Sequence, residues 1–251
     1  MALVTTLATI LKTYEYSETS KILRLLTRDH GLCSVIAKGA RRPKSRFGGL
    51  LEPFTDGVAT FYAREGRELH TLSVFELRRE RQALGGELTR YAGAGLLTEI
   101  ALRFAPAAPD TELFDQLGRG LDRLLEERGD LETAMLEETW KLIVHLGFAP
   151  NTERCCLCDR SVTIGERIQF DLMGGGIICR RCQPLAKNLS LRQLSSTARA
   201  ELSTLVRGGR GDGRPLESAR VQRDLLRDFV AYHLADHQPL NSFRFLEERL
   251  G

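Results

Sequence analysis

Over the first 80 residues hydrophobic and polar positions alternate with a short period, and beyond residue 80 they recur at helical spacing. The stretches ATILKTY (8–14), KILRLLT (21–27), GLCSVIAK (31–38), GVATFYA (57–63) and HTLSVFEL (70–77) are rich in β-branched and aromatic residues and read as strands. RDHG at 28–31 and REGRE at 64–68 supply turn chemistry between them. In the fourth stretch Val58, Thr60 and Tyr62 alternate with Ala59, Phe61 and Ala63, the signature of a strand with two unlike faces. Five strands with the longest connection between the third and fourth predict a small barrel of the OB type. The pattern is also compatible with an SH3-like barrel.

The second half predicts helices. Leu97, Ile100, Ala101 and Phe104 share a face that ends at Pro106 and Pro109. Asp110 can cap a helix striped by Leu113, Phe114, Leu117, Leu121, Leu124 and Leu125, which Gly129 stops. A third runs through Met135, Leu136, Thr139, Ile143 and Leu146 to Gly147. Leu191, Leu194, Ala198, Leu202 and Leu205 mark a fourth, and Val221, Leu225, Phe229, Tyr232 and His233 a fifth. The expected fold is α+β and multidomain: an OB-type barrel over 1–80, a helical domain over 81–150 and 189–251, and a cysteine module over 151–188 inserted in one helical bundle.

That module changes the picture from fold to chemistry. Of six cysteines, Cys33 stands alone, while Cys155, Cys156, Cys158, Cys179 and Cys182 crowd together. Cys155, Cys158, Cys179 and Cys182 spell two C-x2-C knuckles, a spacing that lets four thiolates converge on one Zn²⁺. A redox C-x-x-C stands alone at a helix start, so paired knuckles favour a closed structural site. Cys156 is surplus, although it could replace Cys155 in the first knuckle. Arg180 and Arg181 sit inside the second knuckle, either displayed toward a polyanion or simply solvated.

Charge is modest overall, +3, but uneven. Residues 1–80 hold 13 basic and 9 acidic side chains, 81–150 hold 7 and 12, and 151–251 hold 16 and 12. The densest block is KGARRPKSRFGG (38–49), with Lys38, Arg41, Arg42, Lys44 and Arg46 on a Gly/Pro loop between the third and fourth strands. OB folds bind single strands beside such loops, with aromatic rings as stacking platforms. Tyr14, Tyr16 and Phe47 are the candidate rings, each of which could equally be core or rim. GGRGDGRP (208–215) has no G-K-[ST] and is no P-loop. His233 and His237 lack an evident third ligand, and no catalytic constellation stands out. The chain reads as a binding protein rather than an enzyme. It has no apolar run near the roughly 18 residues of a membrane span and no basic leader, so a cytoplasmic location is expected, on the nucleoid when acting on DNA.

GLCSVIAKGARRPKSRFGGLLEPF (31–54) resembles the signature block of the RecO family, bacterial recombination mediators. ATILKTYEYSETSKILRLLTRDHG before it and YHLADHQPLNSFRFLEERL at the end resemble that family's opening and closing segments. The resemblance implies an OB domain followed by a helical domain with a zinc module. It implies binding of single- and double-stranded DNA, annealing of complementary strands, and work with RecR so that RecA loads on strands coated by single-strand binding protein (SSB). It further implies that Lys38, Arg41, Arg42, Lys44 and Arg46 contact phosphates, and that the acidic, apolar-ended SSB tail docks on the helical domain. Arg119, Arg123, Arg128 and Lys141, beside the Leu117–Leu125 stripe, are the candidates for that tail. A zinc-ribbon/OB nucleic-acid-binding factor of transcription or translation would share the charge and the knuckles, and a thiol oxidoreductase the cysteine pairs.

Overall fold

The computed structural model describes residues 2–250 other than 65, 164, 165, 167, 187–189, 236, 237 and 239, with side chains as far as residue 246. The chain forms two compact units, Met1–Glu126 and Glu127–Gly251.

The first unit opens with five strands: β1 (Ala2–Tyr16), β2 (Ser20–Thr27), β3 (Gly31–Ala37), β4 (Asp56–Ala63) and β5 (Leu69–Arg79). They close into a barrel in the order β1-β2-β3-β5-β4, an OB-like ring rather than an SH3-like one. β1 makes closure possible because it serves two neighbours. Its first half, Ala2–Thr9, pairs with β4, and Ala8–Tyr16 pairs with β2. The register slips between Ile10 and Lys12, a bulge that bends the strand from one partner to the other. The strand is therefore longer than the 8–14 core visible as a β-branched run. Ile10, Leu23, Leu25, Val35, Phe61 and Leu72 fill the interior.

Two helices complete this unit, α1 (Leu88–Phe104) and α2 (Thr111–Glu126). α1 begins nine residues before Leu97, where the sequence pattern starts, because Ala92, Gly93, Ala94 and Gly95 offer no bulky apolar stripe to read. Its cap is Glu87, whose carboxylate accepts from the Thr89 and Arg90 N–H groups. Burial resists ionisation of this carboxyl, but those two N–H groups, the Thr89 hydroxyl and the Arg90 charge outweigh it and hold its pKa below the usual range. Arg81, fully buried, reaches the Phe54 carbonyl, Asp56 and Asp122, tying the barrel end to α2.

The second unit holds α3 (Leu131–His145), a small sheet of β6 (Ile168–Asp171), β7 (Gly176–Ile178) and β8 (Leu191–Leu194), and α4 (Ser196–Val206), α5 (Ala219–His233) and α6 (Asn241–Leu250). The helices are thus shared between the two units. Leu191 and Leu194 lie in β8, antiparallel to β6, and not in the predicted helix. That helix starts at Ser196, with the Ser195 hydroxyl accepting from the Ala198 N–H as its cap, a signal the leucine spacing masked. α6 was not predicted at all. Trp140 and Phe229 pack at 5.4 Å in the core of this unit. The glycine loop at 208–215 wraps a buried carboxylate: Glu137 accepts from the Arg210 and Gly211 N–H groups. Gly209 is needed there, because a Cβ would lie 2.5 Å from the Glu137 carboxyl carbon.

Candidate nucleic-acid interface and metal centre

The basic loop leaves β3 as a chain of tight turns, Arg42 N–H to the Gly39 carbonyl and Ser45 N–H to the Arg42 carbonyl among them. Phe47, at 2% exposure, and Leu51 drop back into the barrel core and pin the loop from beneath. Phe47 is therefore an anchor and not a stacking platform. Its own apolar character decided this, since a barrel mouth offers it a dry site.

Pinned in this way, the loop exposes Lys38, Arg41, Arg42, Lys44 and Arg46. They are not equivalent. Arg41 lies 3.3 Å from Glu15 and donates to the Ser17 carbonyl, so an acid remote in sequence offsets part of its charge. Arg46 lies over the Phe47 ring at 4.9 Å and donates to the Leu72 carbonyl. Lys38, Arg42 and Lys44 have no ionic partner among the described residues.

Beside the loop, the end of β1 presents Tyr14 and Tyr16 at 43% and 51% exposure on one strand face. Lys12 sits over the Tyr14 ring at 5.2 Å, and Arg24 is opposite Lys12 across the β1–β2 pair. These two cations escaped the sequence reading because they are spread along strands. The bulge that puts Lys12 on the outer face leaves only a weak sequence signal.

The four predicted ligands converge. The Sγ atoms of Cys155, Cys158, Cys179 and Cys182 all lie within 4.8 Å of one another, and Cys158 and Cys179 are 3.8 Å apart. A tetrahedral Zn–S₄ centre with bonds of about 2.3 Å has S···S edges of about 3.8 Å. The Cys179 N–H donates to the Cys155 sulfur at 3.4 Å. Burial opposes ionisation of Cys179, but the Cys182 N–H and the Arg160 guanidinium prevail and bring its pKa down to about 6. Hydrogen bonding to Cys158, with burial next, pushes Cys182 up to about 12. So many sulfurs in one small space resist full ionisation, a resistance that a divalent cation at their centre would remove. The donor set and its geometry fit such an ion.

Cys156 stands outside the cluster, its sulfur near the Gly174 carbonyl. Arg199, unremarkable in the sequence pattern, is buried on α4 and donates to the carbonyls of Thr152, Val162 and Thr163. It fastens the chain on either side of the first knuckle to the helix. Arg180 and Arg181 are exposed with no ionic partner among the described residues. His233 meets the Leu172 carbonyl at 2.7 Å, so its ring N–H is used structurally; His237 lies outside the described residues.

Of the residues expected to receive the SSB tail, the leucines at the centre of the stripe face the interior of the first unit. Leu117, Leu121 and Leu124 are fully buried. Arg119 pairs with Glu112 at 2.5 Å and Lys141 with Glu138 at 2.6 Å. The stripe is core, and the acidic helices neutralise two of their own cations.

The chain matches two adjoining family models, "Recombination protein O N terminal" over residues 1–81 and "Recombination protein O C terminal" over residues 85–242. It is 35% identical over 243 residues to the DNA repair protein RecO of Rubrobacter xylanophilus, covering 95% of this chain and 94% of that one. It is 32% identical over 257 residues to the DNA repair protein RecO of Synechococcus elongatus, covering 98% and 95%. With the like-named protein of an Anaeromyxobacter species it shares 31% over 250 residues, covering 95% and 93%. Among the described residues, no helix is long and apolar enough to cross a membrane.

Proposed function

The chain belongs to the RecO family of DNA repair proteins, and on that premise we propose that it is a non-catalytic recombination mediator that binds single- and double-stranded DNA and anneals complementary strands. The observation that carries this reading is the pinned loop with three cations, Lys38, Arg42 and Lys44, that have no ionic partner among the described residues, beside two exposed tyrosines. Phosphates are the polyanion such a loop suits. Tyr14 supplies a face on which a base can stack, worth roughly 1–3 kcal/mol. Annealing requires only that two mutually repelling strands be neutralised on one protein; base pairing then supplies the free energy. In the cell the protein would act in the cytoplasm with RecR on SSB-coated strands and so favour RecA loading, a role supported by family membership.

One Zn²⁺ held by Cys155, Cys158, Cys179 and Cys182 would be structural, because four thiolates leave no open coordination position. Arg180 and Arg181 would then add phosphate contacts from the second knuckle.

The test is a salt titration of binding to unrelated single strands. Arg42→Ala with Lys44→Ala should make the log–log slope shallower by about 1.4, from roughly 0.7 per phosphate contact, and weaken all sequences alike. Unchanged affinity and slope would reduce the loop to a solvated barrel edge.

A further inference from the structure

The outer end of the cysteine module carries a surface that phosphate contacts alone do not explain. Leu157 lies in the first knuckle, between Cys156 and Cys158, and is 48% exposed. Leu185 closes the turn after the second knuckle, its N–H bonded to the Cys182 carbonyl, and is 78% exposed. Pro184 precedes it and is exposed too. Arg180 and Arg181 lie between Cys179 and Cys182. Leu157, Arg180 and Arg181 lie within the two knuckles, and Leu185 three residues past the last cysteine, so all are borne by turns whose four sulfurs are within 4.8 Å of one another. Asp159, beside the first knuckle, is taken up by Arg154 at 2.7 Å, and Arg180 and Arg181 have no ionic partner among the described residues.

Isolated exposed leucines are ordinary. Two of them on knuckle turns that also carry two guanidinium groups without an ionic partner among the described residues form a particular combination. Leu185 itself protrudes, since a leucine that keeps 78% of its exposure lines no groove. A convex apolar point cannot receive another molecule's anchor, but it can act as one. An apolar tip flanked by arginines is complementary to stacked bases flanked by phosphates, where Leu and Pro side chains insert between base steps while cations hold the backbone.

We propose that the tip of the module is a base-step wedge, with Leu185 as the inserting side chain, Leu157 as its flanking apolar support, and Arg180 and Arg181 as the clamp on the adjoining phosphates. The site would take the end of a duplex or its junction with a single strand, where unstacking costs least. It rests on the reading that the module contacts DNA, and extends it from phosphate neutralisation to local opening of the stack.

The experiment uses the full-length, zinc-loaded protein and a duplex with a single-stranded tail carrying 2-aminopurine at the junction. Emission from that base rises when it unstacks. Saturating protein should raise it, and Leu185→Ala should abolish the rise at saturation while weakening binding roughly five- to tenfold, the surplus one wedge retains after unstacking. Leu185→Met should keep the rise, because an unbranched apolar chain still inserts. Arg180→Ala with Arg181→Ala should weaken binding and flatten the duplex salt slope by about 0.9 per lost contact, yet leave the emission at saturation intact. Zinc content measured on each variant verifies that the knuckles persist.

No rise with the unsubstituted protein, or an equal rise with Leu185→Ala, would overturn the wedge. If the arginine variant then still binds weakly, the module's phosphate contacts survive and only the wedge fails. If both the arginine and leucine variants bind as the unsubstituted protein does, the underlying DNA reading of the module fails as well. An acidic peptide with an apolar terminus that binds in the absence of DNA, and no longer binds Leu185→Ala, would reassign the tip to a protein partner and likewise overturn the proposal.

Discussion

The loop at 38–49 and the knuckle at 179–182 both display, on tight turns, cations without an ionic partner among the described residues, yet the turns are held in different ways. The loop is fastened by apolar side chains: Phe47 and Leu51 are buried in the barrel core. The knuckle is fastened by sulfur, with Cys179 and Cys182 converging on Cys155 and Cys158. The first anchorage depends on the hydrophobic effect and is indifferent to metal and thiol chemistry. The second would rest on a metal ion held by directional sulfur ligands, and would be lost with one of them. Equal charge on the surface thus conceals unequal vulnerability beneath it.

The largest effect that separates the two should come from Cys179→Ser. Structural zinc in small modules is bound with about 10–16 kcal/mol of free energy, and that energy is coupled to folding. The variant should lose stoichiometric zinc and local protection of 151–186 from proteolysis, while the part of the salt slope due to Arg42 and Lys44 stays. Metal analysis with limited proteolysis checks the first, and anisotropy the second. A Cys179→Ser protein that keeps its zinc would break the comparison.

Phe47→Ala is the converse. It leaves every charge in place but removes the anchor, and truncating a buried Phe costs about 3–5 kcal/mol. The urea midpoint of the barrel should fall, and single-strand affinity should drop although no cation has been removed. Zinc content should not change. Affinity unaltered alongside a lowered midpoint would show that the loop holds its shape without Phe47.

A smaller effect distinguishes the units by pH. Glu87 caps α1 with its carboxylate, and Glu87→Ala should cost about 1 kcal/mol at neutral pH. Its folded pKa is depressed, so the stabilisation is fully present above the unfolded value near 4.3 and is lost as pH falls through the lower folded value. The difference between variant and parent should therefore vanish in acid. A difference that persists below that window would assign the loss to helix propensity instead of the cap.

The sequence made the barrel and the knuckles legible for related reasons. Alternation at Val58–Ala63 and the doubled C-x2-C are both local patterns imposed by a fixed geometry. What it concealed depended on distant partners. Glu15 reaches Arg41 only because β1 and the loop meet in space, and Arg199 finds three carbonyls that lie 36–47 residues away. Leu191 and Leu194 matched a helical period by coincidence, and pairing with β6 decided between strand and helix. Phe47 shows the limit most plainly: its side chain could serve base or core, and only the closed barrel settles which.

The double pairing of β1 also sets an order of events during synthesis. Its second half meets β2 as soon as residue 27 has emerged, and hairpins form within about 1–10 μs. Its first half must await Asp56–Ala63, and at about 5–20 residues per second that wait lasts about 2–7 seconds. Throughout that interval Ala2–Thr9 is a bare strand edge on the nascent chain, open to any passing extended segment. Ring closure, in which the β4–β5 hairpin reaches β1 on one side and β3 on the other, comes only after residue 79 has been made. A tunnel-exit chaperone or a stalled ribosome would therefore encounter a three-stranded meander, not a barrel.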